Sequence, residues 1–201
     1  TSDIDNADNS FQIVAAPAAS IGGYGSYTVT ADGTWTYILN NANATVDALN
    51  DSSDPLTDTF TVKSEDGTSR TITVDITGTN DAPTVSATAA SAITEFADAS
   101  AQDITDSGTV SFDDIDANDV VDISAASDGT PVWSGGTIDA ALAAQLVAGF
   151  SATATDEAAP GSTAWNYGVT AADLDFLSAG ETISFSYTVT ATDSQGATDT
   201  D

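Results

Sequence analysis

The chain has 201 residues, 31 of them acidic and only two basic (Lys63 and Arg70), with no His, for a formal net charge of −29. That balance excludes nucleic acid and anionic membrane surfaces as partners, since both need a basic footprint, and it favours cations. Cys is also absent, which removes disulfides, thiolate catalysis and Cys-ligated zinc or iron.

The acidity is of one kind. Only Glu65, Glu95, Glu157 and Glu181 are Glu; the rest is Asp. Asp belongs to tight turns and to hard-cation sites, where a short carboxylate closes a loop around an ion. A small β domain without disulfides needs another staple, and a metal ion is the obvious one. No apolar run is long enough to span a bilayer. Met is absent and Thr stands at position 1, so the chain is expected to be a piece of a longer protein with incomplete modules at its ends.

Period-two segments dominate. Ser26–Thr30 ("SYTVT") and Thr34–Leu39 ("TWTYIL") flank Ala31-Asp32-Gly33, a hairpin turn signal. Tyr27, Val29, Trp35, Tyr37 and Leu39 share the expected inner face. Phe60 and Val62 are expected to pair with Ile72, Val74 and Ile76 across Asp66-Gly67. Ile183, Phe185, Tyr187 and Val189 alternate in the same way.

Three patterns recur in order. "SDIDNADNSF" (2–11) resembles "DDIDANDVVD" (113–122); "DGTWTYILNNANATVDAL" (32–49) resembles "GSTAWNYGVTAADLDFL" (161–177); "TFTVKSEDGTS" (59–69) resembles "SYTVTATDSQGAT" (186–198). Asp3 and Asp5 thus match Asp114 and Asp116, Trp35 matches Trp165, and Asp66 matches Asp193. Such internal repetition has to be found before a fold is assigned. The predicted fold class is all-β: tandem β-sandwich modules over residues 1–82 and 83–201. The first lacks its first strands and the second its last.

The second copy carries an insertion at about 131–150. Thr137 is its expected N-cap, with Gly149 as the stop. Ile138, Leu142 and Leu146 form a stripe for a short helix. Asn43–Leu49 and Thr170–Leu177 are each expected to hold one helical turn.

"GGYGSYTVTADGTWTYILNNANATVDALND…LTDTFTVKSEDGTSRTITVDITGTNDAP" resembles the VCBS repeat of large bacterial RTX-type adhesins. Residues 83–201 resemble a divergent second member. The same stretches are similar to cadherin repeats, which implies an Ig-like sandwich with Ca2+ between successive modules. The resemblance implies inter-module ligands at Asn80 and Asp81 in the linker, Asp114 and Asp116 as the DxD pair with Asn118 nearby, Asp193 near the end of a strand, and Asp47. Asp3, Asp5 and Asp66 would serve an equivalent N-terminal junction. The family's Glu position holds Leu49, and Leu177 in the second copy, which points to one or two ions rather than three.

The chemistry supports calcium independently. Ca2+ takes six to eight oxygen ligands, and a D-x-D in extended backbone aims both carboxylates the same way. Ala82-Pro83 stiffens the linker. Catalysis has little to work with, since no acid–base or nucleophile constellation appears; the chain is read as a non-enzyme.

The resemblance implies calcium-rigidified extender modules of a secreted bacterial cell-surface adhesin, active in adhesion and biofilm and exported by type I secretion. Its partners would be Ca2+ and neighbouring modules of the same chain. The rival reading is a glycan- or protein-binding module that uses the insertion and Trp133, a residue with no counterpart in the first copy.

Overall fold

A computed structural model describes residues 10–98 and 100–201. They fall into two compact units, Thr1–Asn80 and Asp81–Asp201. Both are all-β.

In the first unit, β1 (Val14–Ala19), β2 (Gly25–Val29) and β3 (Trp35–Leu39) form an antiparallel sheet in that order. A single helical turn, α1 (Ala44–Asp47), follows, with the Asn43 side chain accepting from the Thr45 N–H at 2.9 Å. β4 (Leu56–Lys63) and β5 (Ser69–Ile76) form a two-stranded sheet with Phe60 opposite Ile72, the pairing the alternation predicts.

The two hairpins share one turn chemistry. Thr30-Ala31-Asp32-Gly33-Thr34 and Ser64-Glu65-Asp66-Gly67-Thr68 are each closed by a 2.9 Å bond from the first N–H to the fifth carbonyl. Gly33 and Gly67 have φ of 87° and 90°, a region in which a Cβ would be strained. The Asp carboxylate accepts the N–H of Thr34 (3.2 Å) or Thr68 (3.0 Å) and the hydroxyl of Thr30 or Ser64. Much of the chain's Asp is therefore turn-forming.

Phe60 is fully buried and anchors the first unit's core with Val29 and Val62. Tyr27 stacks on it at 4.2 Å, and Trp35 meets it edge-on at 5.4 Å. Trp35 itself is 44% exposed, whereas its repeat partner Trp165 is 2% exposed. The shared core role expected of the two holds for Trp165 alone. The reason is a neighbouring strand. In the second unit Trp165 lies across from Gly108, where a Cβ would collide with the indole at 2.4 Å. Its Nε1 donates to the carbonyl of Thr88 at 3.0 Å. β3 is an edge among the described residues, so Trp35 has no such cover.

The second unit comprises β6 (Thr84–Ala87), β7 (Gln102–Asp113), β8 (Val120–Ser127), β9 (Val132–Trp133), α2 (Ala140–Val147), β10 (Phe150–Ala152), β11 (Ala154–Ala158), β12 (Gly161–Ala172), β13 (Ile183–Ser184), β14 (Tyr187–Asp193) and β15 (Thr198–Thr200). Two four-stranded antiparallel sheets, in the orders β10-β12-β7-β6 and β11-β8-β14-β15, sandwich one core; β13 and β9 form a short third sheet. Val110, Phe112, Trp165 and Val169 pack from one face against Val121, Ile123, Val189 and Ala191 from the other.

Two local expectations are corrected. The helix N-cap is Asp139, not Thr137: its carboxylate accepts from Ala141 and Leu142, at 2.9 and 3.2 Å. Asp accepts both bonds with one oxygen, and the helix starts two residues later than expected. Thr170–Leu177 holds no helix. β12 keeps its pairing with β7 through Ala172, and only a turn follows, closed by Leu177 N–H to Leu174 at 2.9 Å. The sheet ladder there outcompetes a helical turn too short to stand alone.

One buried carboxylate in the first unit is fully used. Asp58 is 1% exposed. It accepts from the N–H groups of Gly22 (2.8 Å) and Thr59 (2.7 Å) and from the Tyr37 hydroxyl (2.6 Å). Burial pushes its pKa up, but the bonds from Ser20, Tyr37, Gly22 and Thr59 outweigh this and hold it below the usual carboxylate range. A lowered pKa means stability that is fully present above the unfolded Asp value of about 3.9 and lost as pH falls through the folded value. Asp58→Ala should lower the unfolding free energy of this unit by about 3 kcal/mol. Urea melts down the acid range should show its acid-side loss of stability flattened.

Candidate metal centre

The loop from β7 to β8 reads Asp113-Asp114-Ile115-Asp116-Ala117-Asn118-Asp119. Asp113 turns its carboxylate onto the N–H of Asp114 (2.9 Å), and Asp114 Oδ1 accepts the N–H of Asp116 (3.0 Å). These are Asx-type turns. Asn118 then takes φ of 65°, which Asn tolerates better than most residues. The loop curls back, and the Asp119 N–H reaches the Asp116 carbonyl at 3.5 Å. Ile115 is left 51% exposed.

The curl brings one carboxylate oxygen each of Asp114, Asp116 and Asp119 within 4.8 Å of one another. The D-x-D is therefore not extended as expected; its two carboxylates converge through the turn. Asp116 is 4% and Asp119 5% exposed, and Asp114 is half-buried.

Two further acids of the same unit belong to this centre. The Asp81 N–H donates to Asp116 Oδ2 at 2.7 Å, and the fully buried Pro83 fixes the chain just after it. Asp193 ends β14 and is 6% exposed. Its Oδ1 accepts the N–H groups of Gln195 (2.9 Å) and Ala197 (2.8 Å). Next to it, the Ser194 hydroxyl donates to Asp119. The Asp193 N–H bonds the Ala197 carbonyl at 3.0 Å, so Asp193 occupies the turn position of Ser64, not that of Asp66 as the sequence match has it.

Residues 81–201 contain no Lys, Arg or His, so no side chain of this unit can neutralise the cluster. At about 4.8 Å and an effective dielectric of about 20, each pair of like charges costs roughly 3 kcal/mol. Burial, then the charges of Asp116, Asp119 and Asp193, raise the Asp114 pKa, against a backbone bond from Asp116. Burial, then Asp81, Asp119 and Asp193, raise that of Asp116, against the Asp81 bond. Asp114 Oδ2 and Asp116 Oδ1 are buried and accept no hydrogen bond from the described residues. Buried acceptors are normally satisfied. An all-oxygen, anionic donor set with spare buried lone pairs fits a hard divalent cation.

Asp81, Asp114, Asp116 and Asp193, singled out from the sequence, thus meet in one place. Asp119 was not singled out. The signal available for it was Asn118-Asp119 just ahead of an apolar strand. Asn118 is exposed at the top of the loop, where it serves the left-handed turn. Asn80 and Asp47 lie in the first unit; Asp47 is exposed at the end of α1. Asp66 is exposed and engaged in its own hairpin, with its pKa lowered by the Ser64 hydroxyl and Thr68. Asp3 and Asp5 lie outside the described residues. Trp133 packs edge-on against Phe176 (4.7 Å) and donates to Glu181 Oε2 (3.3 Å), with Gly135 and Gly136 close against its ring.

Fold and site together define a class: an all-β extracellular-type module with an acidic centre suited to a hard cation. Residues 1–78 match the family model of the bacterial cadherin-like domain. Among curated proteins none matches the chain.

The raised values of Asp114 and Asp116 carry a sign. Between the ordinary and the folded pKa the native state holds more protons than the unfolded chain, so stability falls as pH rises through that window. The metal-free second unit should therefore melt at a higher temperature at about pH 5 than at pH 7. Asp114→Asn/Asp116→Asn should raise the metal-free melting temperature at neutral pH and flatten this dependence in a calorimetric series.

Proposed function

We propose that this chain is a segment of a calcium-rigidified extender from a secreted bacterial cell-surface adhesin. Ca2+ would be held by Asp114, Asp116 and Asp119 with Asp193 and Asp81. The observation that carries this reading is the pair of buried, unpartnered carboxylate oxygens in a unit without a basic residue. Those atoms need a cation or protons, and the absence of His and Cys from the whole chain leaves oxygen as the ligand. Ca2+ tolerates six to eight oxygens in irregular geometry, whereas Mg2+ demands near-ideal octahedra and keeps its waters. The bound ion would offset the repulsion among these carboxylates and tie the β7–β8 loop to the β14 turn. The likeness of residues 1–78 to bacterial cadherin-like domains supports the wider setting: a tandem array outside the cell, working in adhesion and biofilm, exported by type I secretion from low to high calcium. Asn80 and Asp47, with Asp3, Asp5 and Asp66 at an N-terminal junction, would complete inter-module sites in that array.

A glycan- or protein-binding module built on Trp133 is the poorer fit, because that ring is spent on Phe176, Glu181 and the two glycines. An enzymatic role has no support in the described residues.

The test is thermal. Ca2+ that binds only the native state raises the melting temperature with concentration, by about 2.7 kcal/mol of stability at one hundred times Kd. Chelator should reverse the rise, and Asp114→Ala/Asp116→Ala should abolish it in the second unit. Indifference of the wild-type chain to both calcium and chelator would sink the reading.

A further inference from the structure

The second unit carries an unfilled strand position, and the first unit shows what fits it. β5 runs beside β4 for eight paired positions, from Lys63–Ser69 to Leu56–Ile76. In the second unit the corresponding ladder is short. β15 pairs with β14 at Thr192–Thr198, Ala191–Asp199 and Thr190–Thr200. Val189 and Asp201 then exchange both backbone bonds, at 2.7 and 2.9 Å.

The exchanging residues of an antiparallel strand recur every second position. After Val189 the next on that side of β14 is Tyr187, then Phe185. β8 lies on the other side, where Asp128 N–H bonds the Ser186 carbonyl. Among the described residues no strand runs beside Phe185–Thr188 on the β15 side.

Behind this bare edge the sandwich is open. A cleft of about 820 Å³ reaches between the sheets, lined among others by Ile104, Phe150, Trp165, Tyr167, Phe185 and Tyr187. An apolar cleft alone would suit many ligands. Here it adjoins a run of strand backbone in register with an existing ladder. That combination is the signature of strand addition: main-chain bonds to the edge, alternate side chains into the pocket.

We propose that the β14 edge at Phe185–Thr188, with the cleft behind it, is an acceptor for one extended peptide strand bearing aliphatic side chains at every second position. The strand occupying the same place in the first unit is Thr71–Ile76, "TITVDI", in which Ile72, Val74 and Ile76 turn inward. The neighbouring edge is already blocked to such a strand: the N–H groups of Val85 and Ala87 on β6 are taken by the Asp199 and Asp201 carboxylates, at 2.9 and 2.7 Å. The incoming strand therefore extends the β14 ladder and closes the cleft. This inference does not depend on the metal centre.

The test adds a synthetic peptide with the sequence of residues 69–78 to the whole chain and reads amide exchange residue by residue. Expected is slowing by about tenfold or more at Phe185 and Tyr187, with a concentration-dependent rise in the second unit's melting temperature. A peptide with Ile72, Val74 and Ile76 replaced by Asp should do neither. Peptides N-methylated at alternate amides, one for each register, keep the side chains and remove the strand's donors; at least one should lose the effect. The proposal is overturned if Phe185 and Tyr187 exchange at an unchanged rate. It is equally overturned if both N-methylated peptides act like the parent, which would make the cleft an apolar-ligand pocket. Protection that grows with protein concentration alone would also overturn it, by assigning the edge to a second copy.

Discussion

Everything in the second unit is arranged around charge of one sign. Between Asp81 and Asp201 there is no Lys, Arg or His, so no carboxylate there can form an ion pair within its own unit. Each must stay in water, be satisfied by N–H and O–H donors, take a proton, or meet a cation from solution. Exposed Asp128 follows the second route, with its pKa held down by the hydroxyls of Thr188 and Ser186. Asp114 and Asp116 cannot follow it completely, because each keeps a buried oxygen without a donor. The cost of that arrangement is what makes a cation the natural completion of the fold.

Asp thus plays two parts, and the sequence separates them only by context. In "TADGT" and "SEDGT" the carboxylate is consumed by its own hairpin, and the Gly that follows supplies the positive φ. Those motifs were legible as turns. In "DDIDAND" successive Asx turns curl the loop until the carboxylates face one another. The D-x-D was legible as a cation motif, but its geometry was not: the extended picture omits Asp119, which joins only because Asn118 reverses the chain. Asp193 was found by likeness to Asp66, yet in the hairpin it stands where Ser64 does. A residue-by-residue match identified the right residue and the wrong turn position.

The strands were legible because period-two alternation is a direct record of one buried face. What failed was anything that depends on a distant neighbour. Trp35 and Trp165 have the same local pattern, and only the presence of β7, with Gly108 opening space for an indole, sends one into the core. Thr170–Leu177 was given to a helical turn because nothing local reveals that β7 is long enough to keep β12 paired through Ala172. The helix of the insertion was legible from its apolar stripe, but two candidate caps lay close together. Asp139 won by accepting from two N–H groups at once.

Asp193 connects these threads. Its Oδ1 holds the Gln195 and Ala197 N–H groups and so fixes the turn from which β15 returns. Its charge is felt by Asp114 and Asp116 across the unit. The residue that completes the acidic centre is therefore also the residue that sets the register of β15 against β14. That register aligns Asp201 with Val189 and places Asp199 and Asp201 against the N–H groups of β6. Charge at one end of the sandwich and hydrogen bonding along its edge are joined through a single hairpin. An ion drawn to the centre would act first on that hairpin, because the loop carrying Asp114, Asp116 and Asp119 already holds its own shape through bonds from within.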